Sequence, residues 1–506
     1  MLKANSNRDM RPLKIAAAWC GAALAYMAAQ HACGQALAWL PREALDVLAL
    51  VQTNNPQIEA AYALKSAEYE RAWAQDGFFD PNASAALGTS RGPVAAPDST
   101  LAPRIGGDGA GVQAGLLIPL RVGAYVGVGA SQRYLFDADG FEDLGQTIAG
   151  VRLEIPLLQN RGFRTQSLSQ AALDAEAAVA AAQARAVEHT LLRNGVVLYA
   201  NWLYASANVR ESVQACTRVE RLLQETRERV ELETVAEYQA FSAQMEVSFR
   251  QEELRQAHTA LDQARQALET ITGGLAVEAH FGGPERLGTW AERCATTDVS
   301  RLLAQSEVRP EYVRSEEAIR AAEHLEAVAR DALRSNLALV AGVGFQGEDD
   351  NGGFGREARL RDDTVGIEVA VVWSRPLGFT AESARARAQR AEVQAARAAL
   401  RQVDLSIREE RGRAEVALVA ALDRRALVER AVQEAKRALG AEEQRLALGE
   451  GRSRNVLDAQ KDLTTAERRA NAAAFDMIVA FADLTYAVGV PFLPWEVDHV
   501  ALRPPY

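Results

Sequence analysis

The chain has 506 residues, 48% of them hydrophobic and 24% charged, with a formal net charge of −11. That length admits two or three domains, and that hydrophobic share excludes a disordered chain. The acidic balance excludes nucleic acid as the main partner, because a phosphate-binding surface must be basic. Stretches such as Arg385-Ala386-Arg387 alternate with alanine beside glutamates and read as a solvated helix face.

The chain opens with Lys3, Arg8, Arg11 and Lys14 ahead of an apolar run from Ile15 to about Ala29, and Ala36-Leu37-Ala38 carries the small-x-small pattern of a processing site. Residues 1–38 are therefore expected to be a secretory signal peptide, with the mature chain starting at Trp39. Lipid attachment at Cys33 is a second reading, against which Gln30 stands where an aliphatic residue is wanted. An inner-membrane anchor is a third, against which the run is short. No later stretch has the uninterrupted apolar length of a membrane-spanning helix. Cys20 and Cys33 fall in this segment, which leaves Cys216 and Cys294. Unless the linker descends again, their positions along the expected helices hold them beyond the ~7 Å between Cα atoms that a disulfide needs. Both thiols are expected free.

The rest is written twice. Pro56, Ala67, Asn82 and Gly88 recur 254 positions later as Pro310, Ala321, Asn336 and Gly342. Gly150, Gly162, Phe163 and Gly273 recur 216 positions later as Gly366, Gly378, Phe379 and Gly489. Offsets that hold over such distances mark a tandem duplication. Repeat 1 is expected over 39–273, a linker over 274–300, repeat 2 over 301–489 and a tail over 490–506. Each repeat reads as a helix begun at proline, strands, a very long helix, a reversal and a returning helix. The long helices are expected from about Arg164 to Glu231 and about Ala381 to Leu448, roughly 100 Å each. The four–three spacing of Ala384, Ala388, Ala391, Ala395 and Ala398 is a coiled-coil seam. The returning helices are expected from about Val235 to Thr272 and from about Ser453 to Val488.

The strands alternate. Ala149, Val151, Leu153 and Ile155 share one face, as do Val365, Ile367, Val369 and Val371. A sandwich sheet with one wet face alternates in the same way. Two features favour a membrane barrel. Aromatics sit near strand ends (Phe78, Phe79, Tyr134, Phe136, Phe345, Trp373), and long loops at 91–111, 137–145 and 347–363 contrast with the tight turn Arg121-Val122-Gly123. Four strands are expected in repeat 1 (Asn82 to Ser90, Val112 to Leu120, Ala124 to Tyr134, Thr147 to Ile155) and two in repeat 2. Six strands, or four if the extra hairpin lies elsewhere, cannot close a lipid barrel, so the edges require further chains.

The reversals fall near 231–235 and 449–453. In the second, Gly449 suits a left-handed cap and Ser453 an N-cap, with Glu450, Gly451 and Arg452 between. In the first, Glu233 and Thr234 make the turn, with Thr234 as its N-cap. Asn455 and Asp458 lie one helical step apart and so share a face.

The ordered set resembles the TolC-like outer-membrane efflux proteins. Its carriers are the two-repeat plan, "IPLLQNRGF" after the last strand of repeat 1, and "LGEGRSRNVLDAQKDLTTAERRANAAAFDMIVAFADLTYAVG" from Leu448 to Gly489. Asn455 replaces the first acid of the family's tip motif, and the extra hairpin departs from its strand count. The resemblance implies a mostly α fold with a membrane β-barrel portion. In it, tandem long helical hairpins build a periplasmic α-barrel, and a homotrimer shares one barrel in outer-membrane lipid. It implies an exit duct meeting a periplasmic adaptor and an inner-membrane pump at the tips (Gly449 to Ser453, Glu233, Thr234). It also implies a pore constriction at Asp458 and Asn455.

No nucleotide-binding loop, zinc-protease motif or nucleophile elbow occurs. The six histidines lack ligand spacing and are expected on solvated helix faces. No catalytic residue, metal or cofactor is expected. The rival reading is a periplasmic coiled-coil scaffold or adaptor that never enters the membrane.

Overall fold

The computed structural model describes residues 39–90, 109–135, 144–233, 235–274, 286–304, 306–349, 365–448 and 450–493. The expected signal peptide, Phe136, most of the three long loops, Thr234, Gly449, part of the linker and the tail from 494 lie outside them.

In chain order the helices are α1 (Arg42–Asn54), α2 (Pro56–Ala74), α3 (Arg164–Glu231), α4 (Tyr238–Ile271), α5 (Arg286–Thr296), α6 (Val299–Ala304), α7 (Pro310–Asp331), α8 (Thr380–Ala447) and α9 (Ser453–Val488). The strands are β1 (Asn82–Ser90), β2 (Gly109–Leu120), β3 (Ala124–Leu135), β4 (Leu144–Pro156), β5 (Asn336–Asp349) and β6 (Val365–Ser374). The chain divides into two compact units, one of 64–180 and 314–400 and one of the residues up to 63, 181–313 and 401 onward.

The first unit holds one six-stranded antiparallel sheet in the order β1-β2-β3-β4-β5-β6. β4 lies beside β5 although both helices of the first hairpin intervene in sequence. The strands run further than the alternation suggests, because glycines and polar residues at their ends continue the ladder. Their 9 to 14 residues match the ~9–11 that cross a bilayer. The register lines up one face across all six: Ala83, Leu116, Val128, Val151, Val343 and Ile367 form one lateral row. Arg133, Arg152, Glu154 and Glu368 lie on the other face. So does a row that runs Ser84, Gly115, Gly129, Gly150, Gly344, Gly366. A Cβ on Gly150 would stand 2.9 Å from the Val343 carbonyl oxygen, so no side chain fits there without a backbone shift.

Below the strands, Phe78, Phe79, Tyr125 and Phe163 form an aromatic cluster, with Tyr125 and Phe163 ring centres 4.7 Å apart. Phe163 has φ 56° and its repeat mate Phe379 φ 47°. Left-handed backbone at a bulky residue is uncommon. Its recurrence 216 positions later shows that the duplication preserved geometry as well as sequence. Phe163 is buried, whereas Phe379 is half-buried under the Arg375 guanidinium.

The second unit is helical. Its core gathers Trp39, Trp290, Tyr199, Leu203 and Phe481, with the two tryptophan rings stacked at 6.2 Å. Burying each such large side chain stabilises by about 1.5–3 kcal/mol. α1 supplies Ala44, Val47, Leu48 and Val51, the i, i+3, i+4, i+7 stripe of an amphipathic helix. The returning helices end alike. Gly273 and Gly489 have φ 77° and 84°, and each abuts backbone just ahead of its own repeat's proline-begun helix, α2 or α7, at Asn54 and Glu307. A Cβ on Gly489 would lie 2.6 Å from the Glu307 carbonyl oxygen, so both conformation and space demand glycine. Among the described residues α9 alone is apolar enough by length and composition to cross a membrane, and 61% of that window is buried inside the protein.

One expectation fails here. His189, read as a solvated residue, is fully buried. Its Nε2 lies 3.1 Å from the Val490 carbonyl and its ring stacks on Tyr486 at 4.7 Å. Burial lowers its pKa to about 4 against the opposing pull of Val490 and Glu311, so it is neutral at neutral pH. Cys216 and Cys294 are free and buried, as their positions suggested.

Candidate functional site

The second reversal is built by backbone. Leu448 N–H donates to Gln444, and the N–H groups of Glu450 and Gly451 both donate to the Arg445 carbonyl at 3.0 Å. These bonds satisfy carbonyls that the end of α8 would leave open. A Cβ on Gly451 would sit 2.8 Å from the Leu446 nitrogen, so the tight path needs a glycine. Ser453 is not the N-cap. Arg452 holds that position with φ −108° and ψ 140°, no side chain caps the helix, and Ser453 is its first residue and buried. The capping motif misleads by one position because the turn already fixes the helix entry through main-chain bonds. Glu450 and Arg452 are exposed.

The first reversal has no described glycine. Leu232 and Glu233 bond back to Glu228 and Val230, and Glu233 takes the left-handed position with φ 60°. That conformation costs a non-glycine residue about 1–2 kcal/mol. α4 resumes at Tyr238, later than the sequence suggests, and without a side-chain cap.

Asn455 and Asp458 are both exposed on one face of α9. They border a groove of about 520 Å³ between α8 and α9, with Ala435, Ala438 and Ala459 lining it among the carboxylates Glu434, Glu442 and Asp462. Asn455 Nδ2 reaches Glu442 Oε2 at 3.5 Å. Glu434 pairs with Arg437 at 2.8 Å and Glu442 with Arg445 at 3.1 Å. Asp458 and Asp462 have no ion pair among the described residues. Beneath them, Leu222 of α3 joins Leu439, Leu446, Val456 and Leu463. Leu457 also packs on Val219, Leu223, Ala243 and Val247, so the two hairpins hold one another at this end. Among the described residues no group of three histidine, cysteine or acidic side chains could hold a metal.

Sequence reasoning missed one feature. Tyr238, Phe241, Met245 and Phe249 are exposed by 51 to 66% along α4. Their three–four–four spacing, separate from the buried face of Ala243, Val247 and Leu268, was the available signal of an unpartnered stripe.

Solved structures similar to this chain include outer-membrane proteins. The outer-membrane channel OprN aligns over 90% of this chain and 92% of its own at TM-score 0.66 and 15% identity. CusC, solved in a study of folding and transmembrane channel formation, aligns over 89% and 92% at 0.66 and 13%. The outer membrane protein VceC from Vibrio cholerae aligns over 89% and 97% at 0.63 and 16%. No family model and no curated protein matches the sequence. The chain has the fold of these outer-membrane channels, long helical hairpins together with an antiparallel sheet of long strands.

Proposed function

We propose that three copies of this chain form a passive exit duct in the outer membrane of a Gram-negative bacterium. In this reading the strands close a barrel in lipid. The helical hairpins extend into the periplasm, where the tips meet an adaptor and an inner-membrane pump of an efflux or type I secretion system. One observation carries the reading: a sheet of six membrane-length strands with a continuous apolar face and two open edges. Such a face suits lipid, and open edges do not survive there, so copies must join. The adaptor reading gives that face no partner. Fractionation tests the choice: a detergent-extracted outer-membrane trimer supports the duct, and a soluble periplasmic species defeats it.

The tips at Glu233, Thr234 and Gly449 to Ser453 are the proposed adaptor contact. Asp458 and Asn455 are the proposed constriction. Three Asp458 carboxylates around one axis repel one another, and a cation relieves that repulsion. Asp458→Ala should lower cation selectivity and multivalent block in planar bilayers, with Asn455→Ala doing less. Unchanged reversal potential and block in Asp458→Ala removes the residue from the constriction.

A further inference from the structure

The sheet contains one junction between repeats, β4 of repeat 1 against β5 of repeat 2. It also presents the two halves of a second such junction, β6 and β1, with nothing beside them. We infer that a neighbouring copy of the chain fills the second junction by the contacts of the first, each residue moved by its repeat offset. The count of three rests on the channel reading; the contacts do not.

The template opposes Gly150 to Gly344, Val151 to Val343 and Glu154 to Val340. Moving β4 by 216 and β5 by 254 sets Gly366 opposite Ser90, Ile367 opposite Thr89 and Ala370 opposite Ala86 of the next chain. Val369 then meets Leu87. These two are exposed by 71% and 83%, and both lie on the apolar face. A slip of one residue would turn that whole face inward. The register also closes geometrically. A lateral row that leaves β1 at Ser84 reaches Gly366 and enters the next β1 at Ser90, an advance of six residues per chain. Three chains give eighteen strands with a shear of eighteen. Equal shear and strand number set a tilt of about 36°, inside the range of membrane barrels, and a diameter of roughly 30–35 Å.

The helical unit repeats the argument with different chemistry. Within the chain, Leu457 of α9 enters the hole made by Val219, Leu223, Ala243 and Val247. Moved by the offset, Phe241 of α4 enters Ala435, Leu439, Ala459 and Leu463 of the next chain. Those four form part of the α8–α9 cluster, and its two alanines line the open groove. A larger knob meets a hole in which alanine replaces Val219. Within the chain Arg468 pairs with Glu253 at 2.7 Å. The moved pair is Glu252 with Arg469, opposite charges again with the polarity exchanged. Both are exposed and in no ion pair among the described residues. Arg218, which reaches Thr464 at 3.3 Å and Glu467 at 3.4 Å, becomes Glu434 facing Ser248 and Gln251. Arg255 falls opposite Arg424, whose charge Asp476 already meets.

The test is a cysteine pair. Leu157 N–H donates to the Leu337 carbonyl at 2.7 Å, so alternate positions such as Glu154 and Val340 are non-hydrogen-bonded. Ala370 and Ala86 inherit that geometry, with Cα atoms about 4.5 Å apart, within disulfide reach. They occupy opposite edges of one chain's sheet, so a bond between them joins two chains. Mild oxidation of Ala86→Cys/Ala370→Cys should give covalent trimers on a non-reducing gel. Each single variant, and Ala86→Cys with Val372→Cys, should give none. Glu252→Arg and Arg469→Glu should each lower the trimer fraction by native mass spectrometry, and together restore it. Trimers that crosslink at Val372 or Glu368 instead of Ala370, or a charge exchange that restores nothing, overturn the inference and leave the channel reading standing. A parent chain found monomeric in mild detergent overturns both.

Discussion

Arg309→Met should cost about 3–5 kcal/mol, the loss expected when one partner of a buried ion pair is removed. Arg309 is 5% exposed and grips Glu311 with two bonds, Nε to Oε2 at 3.2 Å and Nη2 to Oε1 at 3.0 Å. It also reaches Glu410 and lies over the Tyr486 ring at 4.6 Å. The Glu410 bond contributes least, because that carboxylate is half in water. The ring contact adds about 0.5–2 kcal/mol. Most of the loss is the carboxylate of Glu311, left 19% exposed without its cation. Burial alone would raise the pKa of Glu311, and the Arg309 bonds and charge bring it below the usual value. In the parent, Glu311 therefore stabilises above its unfolded pKa, and that contribution is lost as pH falls through the folded one. In Arg309→Met only the backbone bond and the Tyr486 hydroxyl still oppose burial, so the folded pKa of Glu311 rises from its value in the parent. The penalty is then present at neutral pH and disappears on acidification. Denaturation midpoints in mild detergent at pH 7.5 and pH 5 check this. Arg309→Met/Glu311→Gln should recover part of the loss at pH 7.5. A variant within about 1 kcal/mol of the parent, or a deficit that stays flat with pH, refutes the reasoning.

His189, neutral and with its pKa held at about 4, should make stability fall as pH drops below about 6.5, by up to about 3 kcal/mol at pH 4. His189→Gln should flatten that slope, and a thermal-midpoint series in pH reads it. Cys216 and Cys294 have thiol pKa values raised by burial, so maleimide should label neither until the protein is unfolded. A tryptic map with a Cys216–Cys294 link would contradict the structure. Gly150→Ala should sharply reduce folded, heat-modifiable protein, while Gly88→Ala, with nothing within 4 Å of its new methyl, should be tolerated. Equal yields of the two would show that the close approach to Val343 is not what requires the glycine.

The duplication was legible because helix and strand lengths are rigid. Once Pro56 matched Pro310 and Gly150 matched Gly366, the offsets could not drift without breaking the packing they serve. The apolar strand face was legible because β4 and β6 alternate without interruption. Local ends were less so. Ser453 looks like a cap by type, yet main-chain bonds to Arg445 had already fixed the entry of α9. The burial of His189 could not be read from its own helix, because Tyr486 and Phe492, about three hundred residues away, cover it. The stripe from Tyr238 to Phe249 shows the converse: its spacing is local, while in the proposed assembly its cover comes from a second copy of the chain.

In the proposed duct the glycine row has a consequence for cargo. Along that row the face away from the apolar side offers amide backbone and little else, apart from Ser84. The row runs across strands tilted by about 36°, so it climbs the wall as an oblique stripe with no charge to follow and no ring to stack on. The proposed threefold assembly also multiplies every change. One substitution in the row would place three new side chains at one height, while the rest of each stripe stays bare.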